Sequence, residues 1–277
     1  MNYIPLLLAA FSFFSCTEQK DCPEIKEEIK SKVVTSTKSK IETKSSTDEN
    51  YERIEFKAAD GVKIIGNYYE IDPNAPIIIL CHQARFNKFE YAGIAPKIVK
   101  MGYNCLAIDQ RSGGPISIFQ NETMINSISA GKPTDMLDAE QDILAAIDWA
   151  YDKSKREVIL WGSSYSSTLS IYIGMGNDKV KTFIAFSPGN YWSEKKGDLK
   201  AMLPTCEKSY FITSTKYENT HIKQFMSNVK LKRNQVVFIP KTEGYHGSQA
   251  LWDGQAQGEQ YWNAITEFLR NKDILNS

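Results

Sequence analysis

One stretch constrains this chain more than any other: residues 158–166, Val-Ile-Leu-Trp-Gly-Ser-Ser-Tyr-Ser. The apolar run over 157–161 is of strand type, and 167–174 can form a helix. A strand that reverses at once into a helix holds the residue between them in a sharp, strained conformation. Bulky side chains two positions to either side would strike the neighbouring backbone, so both flanks have to be small. Here they are Gly162 and Ser166, which makes Ser164 the central residue. The pattern is G-x-S-x-G with Ser in place of the last Gly. Such a turn lifts the Ser164 hydroxyl out of the sheet and aims the Tyr165 N–H at the same spot, an arrangement suited to acyl transfer. Read alone, the five letters are also compatible with an ordinary loop.

The length, 277 residues, suits one large domain with appendages, and equal numbers of basic and acidic residues, 33 each, leave no nucleic-acid footprint. Residues 4–14 form an apolar run too short to span a bilayer but of the length of a secretory h-region. It ends in Phe-Phe-Ser-Cys. This resembles a relaxed bacterial lipobox: residues 1–15 are removed as a signal, and Cys16 carries the lipid. No Lys or Arg precedes the run, where a positive n-region is expected, so a plain cleaved signal is the other reading. Residues 17–50 are rich in Lys, Glu, Ser and Thr and cannot bury enough surface to offset the entropy of ordering. The expectation is a tether over 16–50 holding a domain over 51–277 to a membrane of the bacterial cell envelope, on its periplasmic or outer side. The membrane contact is through the lipid alone. Of the five Cys, Cys81, Cys105 and Cys206 sit in or beside apolar runs and read as buried thiols. No C-x-x-C pair points to zinc or redox chemistry, no other metal or cofactor is implied, and the pairing of Cys22 stays open.

From residue 51 onward strands alternate with helices. Two strand-like runs flank the turn signal Asp60-Gly61, and 76–80 is a continuous apolar run of the kind buried on both faces of a sheet. A helix is expected over 91–101, closed by Gly102, then a strand over 104–108 and a loop over 111–134. An amphipathic helix over 135–151 precedes the 158–166 stretch. Strands over 182–186, 210–213 and 236–239 and a helix over 259–269 complete the series. This alternation implies a mostly parallel sheet covered on both faces.

The order of elements together with the turn at Ser164 resembles the α/β-hydrolase fold over about 51–272. Within it the chain is most similar to compact dienelactone-hydrolase-like and carboxylesterase-like members. The residues that carry the likeness are Leu80-Cys81-His82-Gln83-Ala84, Ala107-Ile108-Asp109-Gln110-Arg111-Ser112-Gly113, the Ser164 turn, and Gly244-Tyr245-His246-Gly247. The resemblance implies a second oxyanion-binding N–H on the loop after the third strand, at Ala84 or its neighbour Gln83; many relatives have His-Gly where this chain has His82-Gln83. A serine hydroxyl needs a base to take its proton. Among only three His, His246 sits in a Gly-flanked loop able to reach the turn, His82 suits a structural hydrogen bond, and His221 a helix surface. The resemblance places the supporting acid after the strand at 210–213, at Glu218, with Asp109 and Glu194 as alternatives. Asp109 also reads as a residue that pins its own loop. The chain order Ser164, Glu218, His246 is that expected of the fold.

Only residues 187–207 separate two strands where this fold often inserts a lid, too few for a large cap domain. The site is therefore expected to be open and shaped by loop 111–134 and by Phe86, Tyr191, Trp192 and Trp252, unless these aromatics are ordinary packing. Arg85 and Arg111 fall on candidate rim loops. The leading function is hydrolysis of esters of small or soluble acyl substrates through an acyl-enzyme. The same three residues acting on peptide or thioester bonds, or a non-catalytic binding protein on this fold, are the alternatives.

Overall fold

The computed structural model describes residues 51–275. The signal expected over 1–15, Cys16, Cys22 and the tether expected over 16–50 lie outside the described residues. The Asp60-Gly61 turn joins strands β1 (Glu52–Lys57) and β2 (Lys63–Tyr69) in an antiparallel hairpin that pairs Lys57 with Lys63. Strand β3 (Ile77–Cys81) is buried throughout, as its unbroken apolar run requires.

The helix expected over 91–101 is shorter. It divides into a 3₁₀ turn, Lys88–Tyr91, and α1 (Ala95–Val99), because Pro96 in the first turn sets the start of α1. After β4 (Asn104–Ile108) the expected loop contains a helix, α2 (Glu122–Ser129). Its first turn is capped by Asn121, whose side chain accepts from the Met124 N–H. The next helix, α3 (Glu140–Ser154), starts five residues later than the amphipathic pattern suggested. Then come β5 (Val158–Ser163), α4 (Tyr165–Gly176) and β6 (Val180–Phe186). The short helices α5 (Ser193–Lys196) and α6 (Leu199–Met202) fill the connection to β7 (Ser209–Thr213), and no large cap is inserted there. Helix α7 (Asn219–Met226), β8 (Gln235–Phe238), α8 (Gly258–Leu269) and α9 (Lys272–Leu275) end the described chain.

The strands form one eight-stranded sheet in the order β1-β2-β4-β3-β5-β6-β7-β8, parallel from β4 through β8. Alternate strand residues feed opposite faces. Ile78 and Leu80 pack with Trp161, Phe186 and the α8 residues Tyr261 and Ile265. Ile77, Ile79 and Cys81 face the other way, onto Ile143 and Ile147 of α3 and Leu169 of α4. Because β3 and β5 to β8 run parallel, the segments following them emerge at one edge of the sheet. That edge is where ligand sites of open α/β sheets lie.

Candidate active site

Ser164 occupies the turn between β5 and α4 with φ 58° and ψ −124°. A non-glycine residue there carries about 1–3 kcal/mol of backbone strain. The turn is held from both sides. The Ser164 N–H donates to Phe186 O at 2.8 Å, and its carbonyl accepts from the Ser167 hydroxyl at 2.6 Å. The small flanks are obligatory: a Cβ on Gly162 would stand 2.3 Å from Ser166 O. Ser166 is wholly buried, and its Oγ accepts from the Ser163 N–H at 2.9 Å and donates towards Cys81 O at 2.8 Å. A glycine there could form neither bond.

The structure brings Ser164, His246 and Glu218 together. His246 stands in the loop after β8, with its Nε2 2.8 Å from Ser164 Oγ. Its Nδ1 is hydrogen-bonded to Glu218 Oε1. Glu218, at the start of α7, is held on its second oxygen by the Ser187 hydroxyl at 2.7 Å and the Thr215 N–H at 3.1 Å. Burial alone would raise the Glu218 carboxyl, but the hydrogen bonds from His246 and Ser187 and the imidazolium charge hold it down to about 2. Reciprocally, the hydrogen bond to Glu218 raises the His246 imidazole above its ordinary value, against a smaller effect of burial.

The other histidines fall where the sequence put them. His82 is fully buried; its Nδ1–H donates to Gln83 O at 2.8 Å and its Nε2 accepts from the Gln110 N–H at 2.9 Å. Burial pushes it down to about 4, so it is neutral and structural. His221 is exposed on α7. The two alternative acids are not at the site. Asp109 accepts from the Lys88 N–H and Nζ and from the Glu122 N–H, fixing the 3₁₀ turn and α2, and Glu194 is exposed on α5. Arg111 is not a rim residue but wholly buried, with its guanidinium spread across Asp142 and Asp60. Arg85 is exposed. Cys81, Cys105 and Cys206 are buried free thiols.

A cavity of about 610 Å³ opens on Ser164 and is lined by Ala84, Met136, Leu137, Tyr165 and Trp192, with Tyr191 at its side. A second, of about 460 Å³, lies on the acid side against Glu218, His221, Asn190 and Phe225, and Tyr191 lines this one too. Of the aromatics expected to shape the site, Tyr191 and Trp192 do so. Phe86 and Trp252 stack on one another, 5.9 Å apart, away from the lining. The Gln83 N–H donates to Glu90 Oε2 at 2.7 Å, so it is already engaged. As the first residue of α4, Tyr165 has an N–H with no acceptor inside its own helix.

Two residues at the site escaped the sequence reading. Ser187, at φ 57°, bridges Glu218 and the Gly247 N–H. Glu90 lies buried behind the Ser164 turn, hydrogen-bonded to Ser163. Neither carries a local signal, since each acquires its partners only when strands far apart in sequence are aligned.

No family model matches the chain, and no curated protein sequence matches it. Solved structures do. An esterase of Pyrococcus furiosus superposes with a TM-score of 0.62 at 19% identity, over 79% of this chain and 91% of that one. A dienelactone hydrolase from Anabaena variabilis gives 0.56 at 13% identity, over 79% of this chain and 97% of its own. An acylaminoacyl peptidase of Pyrococcus horikoshii gives 0.57 at 15% identity, and the match covers 80% of this chain but 42% of the peptidase. With this strand order and these likenesses, the chain has the α/β-hydrolase fold, and no large cap domain is present among the described residues.

Proposed function

We propose that this protein is a serine hydrolase that cleaves esters of small or water-soluble acyl groups, with Ser164 as nucleophile, His246 as base and Glu218 as its supporting acid. The observation that carries the reading is the unbroken line from Ser164 Oγ through His246 Nε2, at 2.8 Å, and His246 Nδ1 to Glu218. The line is assembled at a strained turn. His246 takes the Ser164 proton as Oγ attacks the acyl carbon. Glu218 fixes the tautomer in which Nε2 is free to accept and stabilises the imidazolium that results. The oxyanion of the tetrahedral intermediate is received by the N–H groups of Tyr165 and Ala84, each worth about 3 kcal/mol to the transition state. Ala84 is preferred over Gln83 because the Gln83 N–H is given to Glu90. The intermediate expels the alcohol, which leaves with the proton from His246, and water repeats the sequence on the acyl-enzyme. Cavities on both sides of Tyr191 give separate room for the acyl and alcohol parts, and the short connection between β6 and β7, with no large cap among the described residues, suits soluble substrates. On the sequence reading the enzyme works tethered to the cell envelope through an acylated Cys16.

Hydrolysis of p-nitrophenyl esters of graded chain length, beside anilides and thioesters, tests the reading. Wild type is expected to turn over the shorter esters, and Ser164→Ala to lose on the order of a million-fold in kcat. Folded wild type that cleaves no ester, or a Ser164→Ala variant that keeps its rate, overturns it.

A further inference from the structure

Behind the Ser164 turn stands a buried carboxyl that takes no direct part in the line from Ser164 to Glu218. Glu90 closes the 3₁₀ turn before α1 and is 1% exposed, and its two carboxylate oxygens point to two different loops. Oε2 accepts from the Gln83 N–H at 2.7 Å, one residue before Ala84. Oε1 accepts from the Ser163 hydroxyl at 2.7 Å, one residue before Ser164. The same Ser163 Oγ accepts from the Ser248 N–H at 2.8 Å, two residues after His246. Between them Gly247, at φ 64°, lies so close that a Cβ would stand 2.4 Å from Ser163 Oγ. The Gly247 N–H reaches Ser187 Oγ at 3.0 Å, and Ser187 in turn donates to Glu218. The bonds thus run from the loop of Ala84 through Glu90 to the Ser164 turn, the His246 loop and the acid.

We propose that Glu90 is a positioning residue of the active site, one carboxylate that holds the oxyanion loop, the nucleophile turn and the histidine loop in register. The proposal rests on the hydrolase reading above. A carboxylate suits the place because both contacts require acceptors, and an ionised Glu offers nothing else. The ionisable groups facing it are Cys81 on β3, Tyr91 of its own turn, Tyr165 on α4 and His246, with no lysine or arginine among them. A buried charge without a countercharge is costly to the fold. Burial accordingly pushes the Glu90 carboxyl up to about 7, against the bonds from Gln83 and Ser163, and its charge supports the protonated form of His246.

Glu90→Gln keeps the shape but removes the charge and sets an NH₂ group against a donor. We expect kcat to fall on the order of a hundred-fold, the loss that a small misplacement of reacting groups brings, with KM little changed. The acid limb of kcat/KM should move to lower pH and become a single-proton step, because Glu90 no longer titrates beside His246. The sign for stability is the reverse. A carboxyl raised in the folded state contributes stability below its unfolded value, and that contribution is lost as pH rises through about 7. The melting temperature of Glu90→Gln relative to wild type should therefore rise between pH 5 and pH 8, which a part in packing alone would not produce. The His246 imidazole, followed by NMR titration, should ionise at lower pH in the variant whether or not any ester is turned over. Should Glu90→Gln fail to fold, Ser163→Ala cuts the same circuit at its middle and should lower kcat with the Gln83 contact intact. Wild-type kcat, acid limb and His246 titration in a folded Glu90→Gln protein overturn the proposal. An inactive wild type whose His246 titration still shifts in the variant overturns the hydrolase reading instead.

Discussion

Ser166 occupies the position where the G-x-S-x-G pattern has its second glycine, so Ser166→Gly converts this chain to the common pattern. Resemblance alone would predict a neutral or favourable change, and the structure predicts the opposite. The Ser166 hydroxyl is fully buried and makes two bonds, from the Ser163 N–H at 2.9 Å and to Cys81 O at 2.8 Å. Net, such bonds contribute about 1 kcal/mol each. Ser166 also lies in the first turn of α4, where glycine is about 0.5 kcal/mol less favourable than serine. The sum is a loss of about 2–3 kcal/mol, or about 5–10 °C in Tm for a domain of this size. Urea unfolding followed by circular dichroism, with Ser166→Ala as the variant that loses the bonds but not the helix propensity, separates the two contributions. A Ser166→Gly protein within about 0.5 kcal/mol of wild type, the scatter of ordinary surface changes, would refute the reasoning.

The charges at Glu218 and Arg111 each have measurable consequences. Glu218 raises the His246 imidazole, and a histidine acting as the proposed base must be neutral, so wild-type kcat/KM should fall as pH drops through a value above the ordinary imidazole value of about 6.5. Glu218→Gln should move that limb to lower pH and reduce kcat by about 10⁴, as a pH–rate profile over pH 5–9 will show. Arg111→Ala leaves the wholly buried Asp142 without its guanidinium and should cost about 3–5 kcal/mol in urea unfolding. Arg111→Lys should recover little of this, because a single ammonium cannot span Asp142 and Asp60 as the fork does.

What was legible in the chain was what its chemistry expresses locally. Gly162 and Ser166 around Ser164 encode the turn because steric exclusion acts over two residues, and the continuous run at Ile77–Leu80 encodes burial on both faces. Helix α2 was missed for a physical reason. Its buried residues are Thr123 and Ser127, while Ile125 and Ile128 are exposed, so apolar periodicity points the wrong way. Thr123 is instead drawn in by a hydrogen bond from the Ile65 N–H at 2.9 Å. Arg111 read as a rim residue because its partners, Asp60 and Asp142, lie 51 and 31 positions away. Glu90 and Ser187 were hidden in the same way: what distinguishes them is the loops they join, and the sheet alone decides which loops meet.

Covalent trapping tests most directly whether Ser164 is a nucleophile activated by His246. A fluorophosphonate reacts rapidly with such an activated hydroxyl and far more slowly with an ordinary serine. Intact-mass measurement should show one adduct per wild-type molecule, peptide mapping should place it on Ser164, and Ser164→Ala and His246→Ala should stay unmodified over the same time. A folded wild type that takes up no probe, or an adduct on any other residue, contradicts it.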